Sequence, residues 1–200
     1  MRPTTLLCSV LGFALLCTVA VAQDSRKIGE VRRVVTKIDA SGKATVMIDG
    51  QVALMASRAP VGVGEIWVTE KTPAELAPTE DRAHVKVGIQ PPRGGTIFRI
   101  VEIPPTSTAV EKLDINTMMK VVGADAPAKG LPPRHPMMHR TRSLDYAIVL
   151  SGEIDMLLDE GEVHLKAGDV LVQQATNHAW VNRGKENCRI AFILIDSQSP

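Results

Sequence analysis

Two histidines, His139 and His178, and one aspartate, Asp145, are the residues of this chain whose types and spacing suit metal or ligand chemistry. Imidazole nitrogens and a carboxylate are donors to a divalent cation, and two histidines with one carboxylate leave coordination positions open for a substrate. Such a centre would act as a Lewis acid or activate dioxygen or water. No other pattern competes: there is no G-x-S-x-G elbow, no phosphate-binding glycine loop and no C-x-x-C pair. Gly94-Gly95, after Pro91-Pro92-Arg93, reads as a turn before a strand.

Donors so far apart in sequence need elements that bring them together. The last third of the chain reads as a ladder of short strands: Tyr146–Leu150, Ile154–Leu158, Val163–Leu165, Val170–Val172, Trp180–Asn182 and Arg189–Ile195. Turn residues at Ser151-Gly152, Asp159-Glu160-Gly161, Ala167-Gly168-Asp169 and Arg183-Gly184 separate them, a rhythm typical of a β-sandwich or barrel. In one straight strand His139 and Asp145 would stand roughly 20 Å apart, at about 3.3 Å per residue. They share a site only if Arg140–Leu144 folds as a turn, which the polar run Arg-Thr-Arg-Ser permits. His178, Trp180 and Asn182 share parity, as do Asp145, Ala147 and Val149, so each set faces one side of its strand.

Upstream, Val31–Ile38 and Ala44–Ile48 read as a hairpin around Asp39-Ala40-Ser41-Gly42, with a second polar turn at Asp49-Gly50. Ile66–Val68 is a short strand, residues 73–78 a loop, and Thr96–Ile103 a strand ended by Pro104-Pro105. Only residues 108–120 favour a helix, with Thr108 and Glu111 placed as a capping box. Residues 123–136, rich in proline, read as a connecting loop.

The N-terminus resembles a cleaved secretory signal: Arg2, an apolar run from Leu6 to Val19, then Ala20-Val21-Ala22. A retained anchor is the alternative reading of that run. Cleavage implies a periplasmic or secreted protein that begins at Gln23 and keeps no stable membrane partner. Of three cysteines only Cys188 then remains, so no internal disulfide can form. The formal charge of +1 includes Arg2, whose removal brings the balance to zero. With no block of like charge and 3% aromatics, nothing points to nucleic acid. A small-molecule ligand, a metal or a second copy of the chain is the expected partner.

The run His139-Arg140-Thr141-Arg142-Ser143-Leu144-Asp145, followed after six residues by Gly152, resembles the first motif of the cupin superfamily, H-x-H, three or four residues, E, six residues, G. The stretch from Gly168-Asp169 to Asn177-His178-Ala179-Trp180-Val181-Asn182 resembles the second, G-x5-P-x-G-x2-H-x3-N. In the first motif Thr141 replaces the second histidine and Asp145 the glutamate. In the second, Gln174 and Thr176 stand where proline and glycine are usual, and the loop is one residue shorter.

The resemblance implies an all-β fold: a single cupin barrel (double-stranded β-helix, or jelly roll) of two antiparallel sheets with extra N-terminal strands. Residues 23–137 would supply those strands and a connecting segment packed on the barrel, and residues 138–196 the cupin core. It further implies a divalent metal on His139, Asp145 and His178, with iron, manganese, nickel and zinc not distinguished. Thr141, Arg142, Trp180 and Asn182 would contact substrate. An enzyme of this kind would be a dioxygenase, decarboxylase or isomerase acting on a small organic acid or phenolic compound. Loss of the second histidine favours the alternative, a metal-free small-molecule-binding or structural cupin without catalytic activity. The family also suggests a homodimer. Bland roles stay open beside these: His178 hydrogen-bonded within the barrel, Asp145 paired with Arg140 or Arg142, and Trp180 as core.

Overall fold

A computed structural model describes residues 29–56, 61–77, 79–107 and 134–198. The expected signal over 1–22, the helix over 108–120 and most of the loop over 123–136 lie outside the described residues.

Among the described residues, short runs of β-branched and aliphatic residues between glycine turns form eleven strands: β1 Glu30–Ile38, β2 Ala44–Ala53, β3 Met55–Ala56, β4 Gly62–Thr69, β5 Thr96–Ile103, β6 Ser143–Ser151, β7 Glu153–Leu157, β8 Glu162–Lys166, β9 Val170–Gln174, β10 Ala179–Val181 and β11 Cys188–Asp196. Among the described residues the one helical element is a 3₁₀ turn at Arg82–His84, capped by Asp81. A six-stranded sheet runs β3-β4-β5-β11-β6-β9 and a three-stranded sheet β10-β7-β8, every pair antiparallel. These two sheets make the barrel. The N-terminal hairpin is a third sheet of its own.

Alternation along the strands gives the large sheet two apolar faces. Its inner face, with Ile103, Ala147, Val149 and Ile190, meets Ile154 and Leu165 of the small sheet, and Trp180 and Phe192 pack against that cluster. Its outer face, with Ile66, Ile100 and Ala191, is covered by Val31, Val52 and Leu54 of the hairpin segment. Burial of each such aliphatic side chain is worth about 1.5–3 kcal/mol. The hairpin is pinned by Arg33, whose guanidinium donates to Asp81 at 2.8 Å and to the Ile66 carbonyl at 3.0 Å.

Asp49 and Gly50 do not form the second turn expected of them. They continue β2, opposite Val34 and Arg33, and Asp49 is satisfied by a two-pronged bond from Arg32. A cross-strand partner removes the local pressure to turn that the Asp-Gly pair signals. Cys188 is fully buried, and burial pushes its thiol up to about 11, so it is an inert core residue.

Candidate functional site

The two histidines meet through the backbone before they meet through their rings. His139 and His178 form an antiparallel bridge in which each amide donates to the other's carbonyl at 2.9 Å. Side chains directly opposite in such a pair share a face, and the imidazole centroids lie 4.4 Å apart. The Nδ1 of each ring is then used locally, His139 on the Met137 carbonyl at 2.8 Å and His178 on the Thr176 carbonyl at 3.0 Å. A carbonyl only accepts, so Nδ1 holds the proton and Nε2 carries the lone pair in both rings. Burial lowers both pKa values, that of His178 to about 3 with the neighbouring His139 adding to it. Two neutral imidazoles thus stand side by side with no hydrogen bond recorded for either Nε2 among the described residues.

Rings continue inward from this pair. Trp180, on β10, meets His178 edge-on at 5.9 Å. Phe192, on β11, meets Trp180 at 5.4 Å and joins the small sheet to the large one. Trp180 therefore packs with the core, linking the histidine pair to Phe192 and the large sheet.

Asp145 lies on the inner face of β6, 5% exposed, between Leu194 of β11 and Gln173 of β9. Gln173 Nε2 donates to its Oδ2 at 3.0 Å. The Thr141 hydroxyl does so at 3.4 Å and itself accepts from Ser143 at 2.8 Å. Oδ1 has no partner. Burial raises the Asp145 pKa to about 6 against the opposing pull of the Ser143 and Thr141 hydroxyls and Arg99. Among the described residues Asp145 forms no ion pair with Arg140 or Arg142.

The large sheet adds two groups that the sequence did not single out. Glu65 and Arg99 are opposite each other on β4 and β5, and Arg99 in turn faces Phe192. They form an ion pair of 3.1 Å, and Arg99 also donates to the Gly88 carbonyl at 2.8 Å. Arg99 is 8% exposed, yet its Nε is unpartnered, as is Glu65 Oε2. Burial raises the Glu65 pKa. A signal did exist: within Thr96–Ile103, Arg99 shares parity with Ile97, Val101 and Ile103, a charge set among apolar neighbours.

Two of the expected contacts lie elsewhere. Arg142 is exposed, because the parity that turns Thr141, Ser143 and Asp145 inward turns it out. Asn182, 1% exposed, falls just beyond β10 and acts as a clamp. Its amide donates to the carbonyls of Ile103 at 2.9 Å and Glu186 at 2.8 Å, and its oxygen accepts from Gly184 at 2.9 Å. The turn between His139 and Asp145 is also shorter than expected, since β6 already begins at Ser143.

For a metal, the histidine pair supplies two good donors. Among the described residues no three His, Cys, Asp or Glu side chains come together as a possible metal site, whereas a catalytic zinc centre, for comparison, typically uses three protein ligands. Asp145 does not complete the set, so the residues present do not fit a resident metal held in the expected way.

Residues 126–195 match the family model described as the cupin domain. Phomopsin biosynthesis cluster protein C' of Diaporthe leptostromiformis is 48% identical over 69 residues, covering 34% of this chain and 36% of that one. A cupin-domain-containing oxidoreductase of Aspergillus ruber is 30% identical over 144 residues, covering 66% of this chain and 54% of its own length. The chain thus spans between about a third and just over half of such relatives. Among solved structures, the cupin domain of Schizosaccharomyces pombe Cnp3 aligns over 83% of this chain and 88% of its own, with 11% identity and a TM-score of 0.44.

Proposed function

With residues 126–195 established as a type-2 cupin domain, we propose that the barrel binds a small organic molecule between its two sheets, bounded by His139, His178, Trp180, Asp145 and Arg99. One observation carries this reading: among the described residues, Asp145 Oδ1, Glu65 Oε2 and Arg99 Nε are buried in the barrel without partners. Each unsatisfied buried group costs about 1–3 kcal/mol. A few polar groups converging on an apolar interior are the usual make-up of a ligand pocket.

As an enzyme this cupin would work by proton transfer. Asp145, held near pH 6, can take a proton from a bound molecule or return one. The neutral histidines orient the ligand by accepting hydrogen bonds, and Trp180 with Phe192 excludes water. A second reading, a metal-dependent oxidoreductase, draws on the two Nε2 lone pairs that the Nδ1 bonds leave unprotonated and on relatives named as cupin-domain oxidoreductases. Metal, if bound, would supply Lewis acidity at His139 and His178.

Elemental analysis of tag-free protein, with calorimetry against a small-molecule panel, separates the readings. Organic ligands that bind without stoichiometric metal support the first. Near-stoichiometric iron, manganese, nickel or zinc, lost in both His139→Ala and His178→Ala, would establish the second instead. Export is part of the proposal and rests on residues 1–22; a secreted product whose N-terminal residue is Gln23 is the expected result. So is a homodimer, whose support is family resemblance together with exposed Tyr146, Val170 and Val172 on β6 and β9. Sedimentation velocity reads that directly.

A further inference from the structure

A strand at the end of a sheet carries a row of amide and carbonyl groups with no neighbour, and folded proteins protect such rows with charge, proline, bulges or cover. Most edges of this molecule are protected in that way. At one end of the large sheet β3 is two residues long, and beyond it the Ile66 and Val68 carbonyls of β4 accept from Arg33 at 3.0 Å and Arg82 at 3.4 Å. In the small sheet β8 alternates Glu162, His164 and Lys166 with its apolar residues. β10 is flanked by the His139 bridge at one end and by Thr106, bonded to Asn182, at the other. The hairpin carries Arg32, Arg33, Lys37 and Asp49 and a register shift in mid-strand.

β9, Val-Leu-Val-Gln-Gln, is the exception. It ends the large sheet and has no charge, proline or bulge. The Ala175 amide donates to the Ser143 carbonyl at 3.2 Å, and the Val149 amide to the Asp169 carbonyl at 3.0 Å. Odd-numbered residues of this stretch thus turn their backbone groups toward β6. Those of Val170, Val172 and Gln174 point away from the sheet, with no neighbouring strand among the described residues. The same three residues lie on the outer face, where Val170 is 66% and Val172 57% exposed, Val172 opposite Tyr146 of β6. The hairpin covers that face over β4, β5 and β11 and reaches only as far as Ile148 of β6.

The sequence of β9 fits itself. Turned about a twofold axis at Val172, two antiparallel copies set Val172 against Val172 and each Val170 against Gln174 of the second copy. All the outward backbone groups are then paired. No like charges are opposed, because the acid that precedes the strand, Asp169, falls opposite Ala175 and is already bonded to the Lys166 amide at 2.9 Å. An uncharged strand has little by which to choose a foreign one, since added strands are selected through their side chains. The pairing consumes the bare edge, so association stops at two.

We propose that two copies of the chain join through β9, edge to edge, so that their large sheets become one continuous antiparallel sheet across a twofold axis at Val172. This rests on the homodimer proposed above and names the strand that makes it.

Sedimentation velocity and amide hydrogen exchange on the full chain, over a range of concentrations, test it. The wild type should form a closed dimer and nothing larger. Exchange at Val170, Val172 and Gln174 should slow as the dimer forms, while Leu171 and Gln173, already paired with β6, stay protected throughout. Val172→Lys opposes two ammonium groups at the axis and should weaken the dimer at least about tenfold. Val34→Lys, at an exposed position of the hairpin, should leave it unchanged. Thermal unfolding confirms that each variant is folded; should Val172→Lys fail to fold, the wild-type exchange pattern decides. A dimer whose three amides exchange as fast as in the monomer, or which folded Val172→Lys leaves intact, means that the strand inference is wrong while the homodimer stands. Assembly beyond two copies also overturns it. A monomer at every concentration removes the homodimer and the inference together.

Discussion

At the scale of single residues, burial sets the acid–base behaviour, and the two main groups pull stability in opposite directions. Asp145 has its folded pKa raised from 3.8 to about 6. Across that window the folded state holds a proton that the unfolded chain has lost, so stability falls as pH rises, by an amount of order 3 kcal/mol. His178 has its folded pKa lowered from 6.5 to about 3. There the unfolded chain holds the proton, and stability rises with pH over that range. The two slopes partly cancel in the wild type. Asp145→Asn should therefore show a steeper rise in urea-measured stability between about pH 4 and 6; parallel profiles would refute the burial account. Asn182→Ala should cost about 2–3 kcal/mol with the urea m-value unchanged, since it strands the buried Ile103 carbonyl and opens a turn. His139, His178 and Asp145 were legible because motif spacing marks them. Arg99 left only the trace of a charge at apolar parity, and Glu65 left none, because its place in the barrel depends on a β4–β5–β11 register that no local pattern states. Arg142 could have been set aside by extending the parity of Asp145 and Ala147 two residues back.

The strands were easier to read than the sheets they join. Thr96–Ile103 was readable to the residue, and the six C-terminal strands to within one to three residues at each end, since their turns carry glycine in conformations other residues resist. Gly152 is the sharpest case. Its φ is +74°, and a Cβ there would lie 2.7 Å from the Asn187 carbonyl oxygen. Gly152→Ala should destabilise by roughly 2–4 kcal/mol, combining left-handed strain with a backbone clash, and a shift in melting temperature measures it. Asp49-Gly50 misled because a turn signal is local while the pairing that overrode it, Arg32 to Asp49, spans the hairpin. Arg33 anchors that hairpin to Asp81. Arg33→Leu should speed hydrogen exchange across β1 and β2 and leave β10 unaffected; equal protection of the hairpin in wild type and variant would show that the apolar contacts suffice alone.

Taken whole, the molecule interleaves early and late parts of its sequence. β11 lies between β5 and β6 in one sheet, so the C-terminal strand is paired on one side by a strand formed nearly a hundred residues earlier. The barrel class was legible from turn spacing, but the third sheet was not, because alternation cannot say which sheet a hairpin joins. A fragment of residues 134–198 would expose the β11 edge and lose Arg99 and Glu65. It should be unfolded or aggregated by circular dichroism where the full chain is folded; a soluble, cooperatively melting fragment would contradict this. The same interleaving has a practical side for anyone redesigning the protein. β5 reaches the barrel interior from outside the stretch that matches the family, so selectivity for the proposed ligand would be retuned at position 99 and across from it at position 65. The histidine bridge and the strand pairing would be left as they are: a side chain on β4 or β5 is exchangeable without touching the backbone register that both halves of the chain build.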